Sequence, residues 1–405
     1  MTDSSSSAAQ SLHTSPSPVY AAGFVTAFGA HAVAANLAVY AIERHSSLWE
    51  LGLLLGIYDA AEVVLKPVFG SVVDRHGTKP VMVGGLAAFA IASATFALAG
   101  QAHWLGAARL AQGSAAAAFS PAAGAALAAS GGKKNSGRLF GGYGGAKGIG
   151  YLLGPVIGGA LVEVGGYRLL FGVIAAVAFV AAVWVFAGVP TVATAARERS
   201  TLGALVAQIR DPQFLRPVIL LASGTAALSA GVGFLPLIGA LHHLSPLATG
   251  ALVSLLAATA AMAQPWIGRR HDRHALPADA PTAAILLMAG GFLTAVTVPS
   301  TAGIAGAALL IGMGVAVVTP LGFSALAASA PSGRLGRTMG AGEVGRELGD
   351  AGGPVLVGAV ASVGLGAGLA ALAGVLALCA GLASPRLTRH WAARAPLLSS
   401  EDRDQ

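Results

Sequence analysis

The feature that most constrains this chain is the length of its uncharged stretches. No Asp, Glu, Lys or Arg occurs between Asp3 and Glu43, between Asp279 and Arg334, or between Asp350 and Arg386. Apolar runs longer than about 18 residues read as transmembrane helices. Hydrocarbon offers no water to the backbone, and a helix satisfies its own N–H and C=O groups. Only 10% of the residues are charged, against about a quarter in a soluble domain. Too little polar surface is available to cover a water-soluble fold, so the chain is an all-α integral membrane protein.

Loop signals divide the apolar stretches into twelve expected transmembrane helices, at 19–42, 50–72, 80–101, 104–129, 139–163, 168–189, 217–240, 247–267, 281–298, 302–328, 336–362 and 365–384. Residues 1–18, rich in Ser and Ala, read as a disordered tail, 190–216 as a linker between two six-helix bundles (19–189 and 217–384), and 385–405 as a second tail. An even number of spans puts both ends on one side, and Lys and Arg select that side. Of the 24 basic residues, 18 fall in the tails or at loops after even-numbered helices; Arg44 and Arg168 follow odd ones, and Lys66, Arg109, Lys147 and Arg346 lie inside spans. Both ends are therefore expected in the cytoplasm of a bacterial cell.

The halves look like copies. With a shift of 199, residues 138–155 overlay 337–354, so that Lys147 meets Arg346, Gly150 meets Gly349 and Gly154-Pro155 meets Gly353-Pro354; with a shift of 198, 70–75 overlay 268–273. Parallel six-helix repeats of this kind build a central carrier site at their interface.

Three segments then carry a family resemblance. The stretch Gly70-Ser-Val-Val-Asp74-Arg75-His-Gly77-Thr-Lys79 resembles the signature loop of the major facilitator superfamily, with Thr78 replacing the usual Arg. Gly70 there suits close helix packing, Asp74 a bond to a neighbouring helix N-terminus, and Gly77 a tight turn. Arg109-Leu-Ala-Gln112-Gly113 is similar to the family's R-x-x-Q-G segment, and the resemblance gives Arg109 a part in proton transfer. In the fifth helix Gly141, Gly150, Gly154, Pro155, Gly158 and Gly159 resemble the antiporter motif of drug:proton exchangers. Glycines there smooth a helix face for close approach, and Pro155 adds a kink. The resemblance implies the major facilitator fold and export.

Ionisable side chains inside a membrane are costly and read as functional. Asp59, Glu62 and Lys66 share one face of helix 2, and Glu343, Glu347 and Asp350 form a stripe on helix 11 with Arg346 beside it. In the fold this chain resembles, those two helices meet at the seam between the halves. Rise per residue puts Lys66, Glu62 and Asp59 about 6, 12 and 16 Å in from Gly70, and Glu343, Arg346 and Asp350 about 10, 15 and 21 Å in from Gly336. Lys66 is thus expected near the depth of Glu343, and Asp59 or Glu62 near that of Arg346. Cross-seam ion pairs would hold one side closed and loosen on protonation of a carboxylate, with Asp59 or Glu62 favoured as acceptor; intrahelical pairing of Glu62 with Lys66 and of Glu343 with Arg346 is the simpler alternative. His31, Asn36, Tyr58, Gln112 and Lys147 are candidates for a substrate cavity, while Tyr143 and Tyr151 either line a pocket or fill helix packing, the latter being the simpler reading.

No G-x-x-x-x-G-K-[ST] loop occurs, so ATP is not the expected energy source. The lone Cys379 and the pair His242-His243 suggest no metal site. The basic residues are dispersed rather than clustered, which argues for lipid rather than nucleic acid as their partner. The expectation is a monomeric, cofactor-free secondary carrier that exports a small organic compound in exchange for protons. A metabolite symporter or facilitator is the alternative, and a membrane receptor or enzyme a distant one.

Overall fold

A computed structural model describes residues 15–43, 47–98, 102–190, 212–273, 276–298, 300–329 and 335–384. The described residues form ten helical elements and no strand. In chain order these are α1 (Ser17–Glu43), α2 (Leu48–His76), α3 (Thr78–Leu98), α4 (Ala102–Gly188), α5 (Pro212–Leu241), α6 (Pro246–Asp272), α7 (Ala280–Thr297), α8 (Thr301–Ala328), α9 (Leu335–Val360) and α10 (Leu365–Ala383). The expected tails and most of the expected linker lie outside the described residues. The face where α1 begins is called proximal below, and the face where it ends distal.

Local chemistry sets several helix ends. Ser47 and Glu50 form a reciprocal cap on α2: the Ser47 hydroxyl accepts the Glu50 N–H at 3.2 Å, and the Glu50 carboxylate accepts the Ser47 N–H at 2.7 Å. That arrangement satisfies two backbone donors that the first turn leaves free. Ser245 caps α6 in the same way, accepting the Ala248 N–H at 3.3 Å, with Pro246 opening the helix. Ser47 and Ser245 are 198 positions apart, the offset of the sequence repeat.

Two sequence expectations are corrected here. The signature segment was expected as a loop between helices; instead α2 runs on through His76, and the link is Gly77 alone, at φ 84° with its N–H donated to the Val73 carbonyl at 2.8 Å. Helices 4, 5 and 6 were expected as separate spans, yet helical backbone is continuous over the 87 residues of α4. A straight helix of that length would measure about 130 Å, several times the roughly 30 Å of a bilayer's hydrocarbon. It folds back instead: Gly113 packs on Tyr58, Gly154 on Phe28, and the ring of Phe171 lies 4.7 Å from that of Phe96. The second reversal passes through Gly166 at φ 68°, a left-handed conformation that glycine adopts without strain. Nine single-pass elements and one triple-pass element give twelve transmembrane helices in two six-helix bundles.

Eight elements hold stretches long and apolar enough to cross a bilayer. The two that do not are α2 and α9, which carry the intramembrane acids Asp59, Glu62, Glu343, Glu347 and Asp350. Large apolar side chains such as Val64, Ile91, Met262 and Leu378 are 67–79% exposed, as expected where the outer surface meets lipid rather than water.

The bundles repeat one another in contact as well as sequence. A side chain at Gly150 would collide with the Phe24 carbonyl of α1 (2.6 Å from its Cβ), and one at Gly154 with that of Phe28 (2.8 Å). In the second bundle Gly349 and Gly353 of α9 press on the carbonyls of Ala222 and Ala226 of α5. Each residue of the second set lies 198 or 199 positions after its counterpart. Between bundles the same symmetry recurs: Gly52 of α2 meets the Pro354 carbonyl of α9, and Gly250 of α6 meets the Pro155 carbonyl of α4. The distal halves of these helices are further tied by Ser254, whose hydroxyl donates to the Leu152 carbonyl at 2.7 Å, and by Glu163, which accepts the Leu247 N–H at 3.3 Å.

Candidate functional site

Five charged side chains of α2 and α9 interlock across the seam. Lys66 Nζ donates to Glu347 Oε1 at 2.6 Å and also pairs with Glu62 one turn away. Arg346 donates to the same Glu347 oxygen at 2.7 Å and to Glu343 Oε2 at 2.9 Å. The intrahelical and cross-seam pairings considered from sequence therefore coexist. Lys66 meets Glu347, one turn deeper than the Glu343 expected from helical rise. Glu347, with its side chain 5% exposed, links both cations. A buried cation without a counter-charge is strongly destabilising, which explains why one carboxylate serves two.

Deeper along the same face, Asp59, Glu347 and Asp350 bring carboxylate oxygens within 4.8 Å of one another. Asp59 and Asp350 take part in no ion pair among the described residues. They come from different bundles, so the group is assembled only by the fold. Carboxylates gathered this closely repel one another when all are ionised. Glu343 stands apart at the rim, 45% exposed.

A cavity of about 60 Å³ opens beside these acids, lined by His31 and Thr26 of α1, Tyr58, Asp59 and Glu62 of α2, Ser120, Lys147 and Tyr151 of α4, and Arg346, Glu347 and Asp350 of α9. A water molecule needs roughly 10–15 Å³, so this conformation has room for a handful of waters. The His31 ring lies 4.2 Å from that of Tyr151 between centroids, tilted by 41°. Tyr151, read from sequence as packing, is a lining residue; Tyr143 instead packs on Gly23.

Two cavity candidates are corrected. Asn36 is 3% exposed, donates to the Ala32 carbonyl of its own helix at 2.8 Å and abuts Gly158. Gln112 is fully buried, accepting from Arg109 at 3.0 Å and donating to Ser93 at 3.2 Å. Neither lines the cavity: both saturate their polar groups within helix packing, as burial demands. Arg109, only 2% exposed, does not reach for the membrane interface. Its Nε donates to the Leu54 carbonyl at 3.2 Å and its guanidinium lies 4.5 Å from the Tyr58 ring centre, so it braces the tyrosine that forms the cavity wall.

The signature segment is mixed. Gly77 makes the tight turn, and Lys79 sits 5.0 Å from the Phe186 ring. Gly70 faces open space, which overturns its expected role in close packing, and Asp74 and Arg75 are exposed. No helix N-terminus is seen bonded to Asp74 among the described residues. In the antiporter motif Gly150, Gly154, Gly158 and Gly159 all press on neighbouring chain, Gly159 on the Pro246 carbonyl; the surroundings of Gly141 lie outside the described residues.

A profile of the Major Facilitator Superfamily matches residues 19–354. Over 132 residues the chain is 31% identical to the multi-drug resistance efflux pump PmrA of Streptococcus pneumoniae, covering 33% of each protein. It is 36% identical over 125 residues to the methylenomycin A resistance protein of Bacillus subtilis, covering 30% of this chain and 27% of that one. The aligned part thus spans about a third of the length of these curated relatives. A crystal structure of a bacterial homologue of the human lysosomal transporter Spinster, inward-facing and occupied, superposes with a TM-score of 0.77 at 16% identity, covering 91% of this chain and 95% of that one. A POT family transporter in complex with a thioalcohol-conjugated peptide gives 0.74 at 12% identity, covering 90% and 94%. At such identities the likeness is one of fold.

Proposed function

The chain belongs to the major facilitator superfamily and is a membrane transporter, and we propose that it exports a small organic compound in exchange for protons by alternating access. One observation carries this reading: Asp59 and Asp350, from opposite bundles, meet Glu347 at the cavity with their carboxylate oxygens within 4.8 Å. A proton gained or lost there changes the charge balance of both bundles at once. Glu347 transmits the change, since it also holds Lys66 and Arg346. Of the two acceptors favoured from sequence, Asp59 fits better than Glu62, whose carboxylate is engaged by Lys66.

The direction rests on relatives. The partial matches to PmrA and to the methylenomycin A resistance protein, together with the glycine pattern of the fifth helix, support export over uptake. Eighteen basic residues at one set of loops against two at the other support a proximal face in the cytoplasm of a bacterial inner membrane.

The test is flux in inside-out vesicles with an imposed pH gradient. Acid inside is expected to drive accumulation of exported compounds, and Asp59→Asn and Asp350→Asn to abolish that drive while downhill exchange of compound persists. Undiminished proton-driven accumulation in both variants would overturn the proton assignment. Accumulation driven by the opposite gradient would identify a symporter.

A further inference from the structure

The two bundles place a basic residue at equivalent positions on the cavity, Lys147 and Arg346, 199 apart. Their surroundings differ. Arg346 is bound by Glu343 and Glu347. Shifted by the same 199, those acids fall on Gly144 and Gly148, and Asp350 falls on Tyr151. The counter-charges that neutralise Arg346 have no equivalents beside Lys147. Lys147 takes part in no ion pair among the described residues; the rings of Tyr143 and Tyr151, 5.8 and 5.9 Å from its ammonium, are its recorded neighbours. A side chain at Gly144 or Gly148 would meet nothing within 4 Å, so space lies open next to the charge.

Glu62 and Glu347 share the cavity, but an ammonium in a membrane protein that no carboxylate directly pairs can take an anion from elsewhere. The same cavity is lined by Asp59 and Asp350, acids that no cation directly pairs among the described residues. We propose that Lys147 is the binding residue for an anionic group of the cargo, and that the cargo is a zwitterion whose cationic group faces Asp59 and Asp350. Tyr151, which lines the cavity beside Lys147, supplies a hydrogen bond to the anionic end. This assignment rests on the export reading above and names its substrate class. A proton and the cargo's cation would then compete for the same two aspartates, while the anion stays on Lys147.

The experiment uses three probes on one ring system: tryptamine as cation, indole-3-propionate as anion and tryptophan as zwitterion. Each is titrated into the purified full chain in lipid nanodiscs, with the melting temperature as readout. Tryptophan is expected to stabilise most. Lys147→Gln should weaken tryptophan roughly tenfold or more, the worth of one charge-assisted hydrogen bond, and leave tryptamine unchanged; Lys147→Arg should keep the preference. Unliganded melting of each variant reports on folding, and Gly148→Glu, which restores the acid present in the other bundle, should mimic Lys147→Gln without touching the lysine. Stabilisation by tryptamine alone, by none of the probes, or equally in wild type and Lys147→Gln, overturns the assignment. Proton movement on probe addition, measured in vesicles of the same preparation, separates the two proposals. Tryptophan bound through Lys147 without proton movement leaves the site standing and removes the coupling. Tryptamine-driven proton movement indifferent to Lys147→Gln does the opposite.

Discussion

Glu347 accepts hydrogen bonds from two cations through a single oxygen, and its removal would leave Lys66 with Glu62 alone and Arg346 with Glu343 alone, with no ion pair across the seam. Breaking a buried pair in this way costs about 3–5 kcal/mol. Glu347→Met is therefore expected to melt several degrees below wild type, whereas Lys66→Met with Glu347→Met should recover a good part of the loss; thermal melting of the singles and the double closes the cycle. Arg109 makes a different case. It divides its donors between the Leu54 carbonyl and Gln112 while covering the Tyr58 ring. A lysine carries the charge but not the planar fork. Arg109→Lys should lose about 1.5–3 kcal/mol, seen as a lower melting temperature with the fold retained by circular dichroism. The sequence singled out Arg109 through its cost in hydrocarbon, but its partners belong to other helices. For the same reason Asn36 and Gln112 looked like cavity residues: in helices apolar all round, no periodicity reveals which way a polar side chain turns.

At the scale of helices, the glycines of the fifth span sort into two kinds. Gly150 has the Phe24 carbonyl 2.6 Å from where its Cβ would stand, while Gly148 has open space. Alanine favours a helix over glycine by about 1 kcal/mol, and overpacking costs about 1–3 kcal/mol. Gly148→Ala should thus hold or raise the melting temperature, and Gly150→Ala should lower it. The spacing of these glycines and the repeat offset were legible in the sequence because close packing needs small residues at fixed intervals. The boundaries of helices 4 to 6 were not. The expected breaks at Lys133-Lys134 and at Gly165 to Arg168 fall inside one helical element, and the second turns through the single left-handed residue Gly166 rather than through a loop. The α2–α9 register was likewise illegible, since rise per residue compares depths but not the offset of two helix ends, and Glu347 rather than Glu343 met Lys66 as a result.

Across the whole molecule, contacts between bundles concentrate toward the distal face, at Gly52 with Pro354, Gly250 with Pro155, Ser254 with Leu152 and Glu163 with Leu247. Alternating access requires this face to part. With Cys379 replaced by Ala, Glu163→Cys and Leu247→Cys joined by a short reducible linker should stop net flux and recover it on reduction. Flux that continues through the linked protein would place the moving parts elsewhere. Reporter fusions at the two chain ends are expected to read out on the same side, as twelve passes demand.

The glycine–proline crossing that occurs twice has a consequence for how this barrier yields. Because one bundle supplies the glycine at the first crossing and the proline carbonyl at the second, any tilt that releases one must strain or release the other. Two rivets of matching make cannot be drawn one after the other without buckling the plates they join. If the bundles rock as proposed, the distal barrier is expected to give way in a single event, with no half-unlatched form, leaky to both compartments, as a resting point.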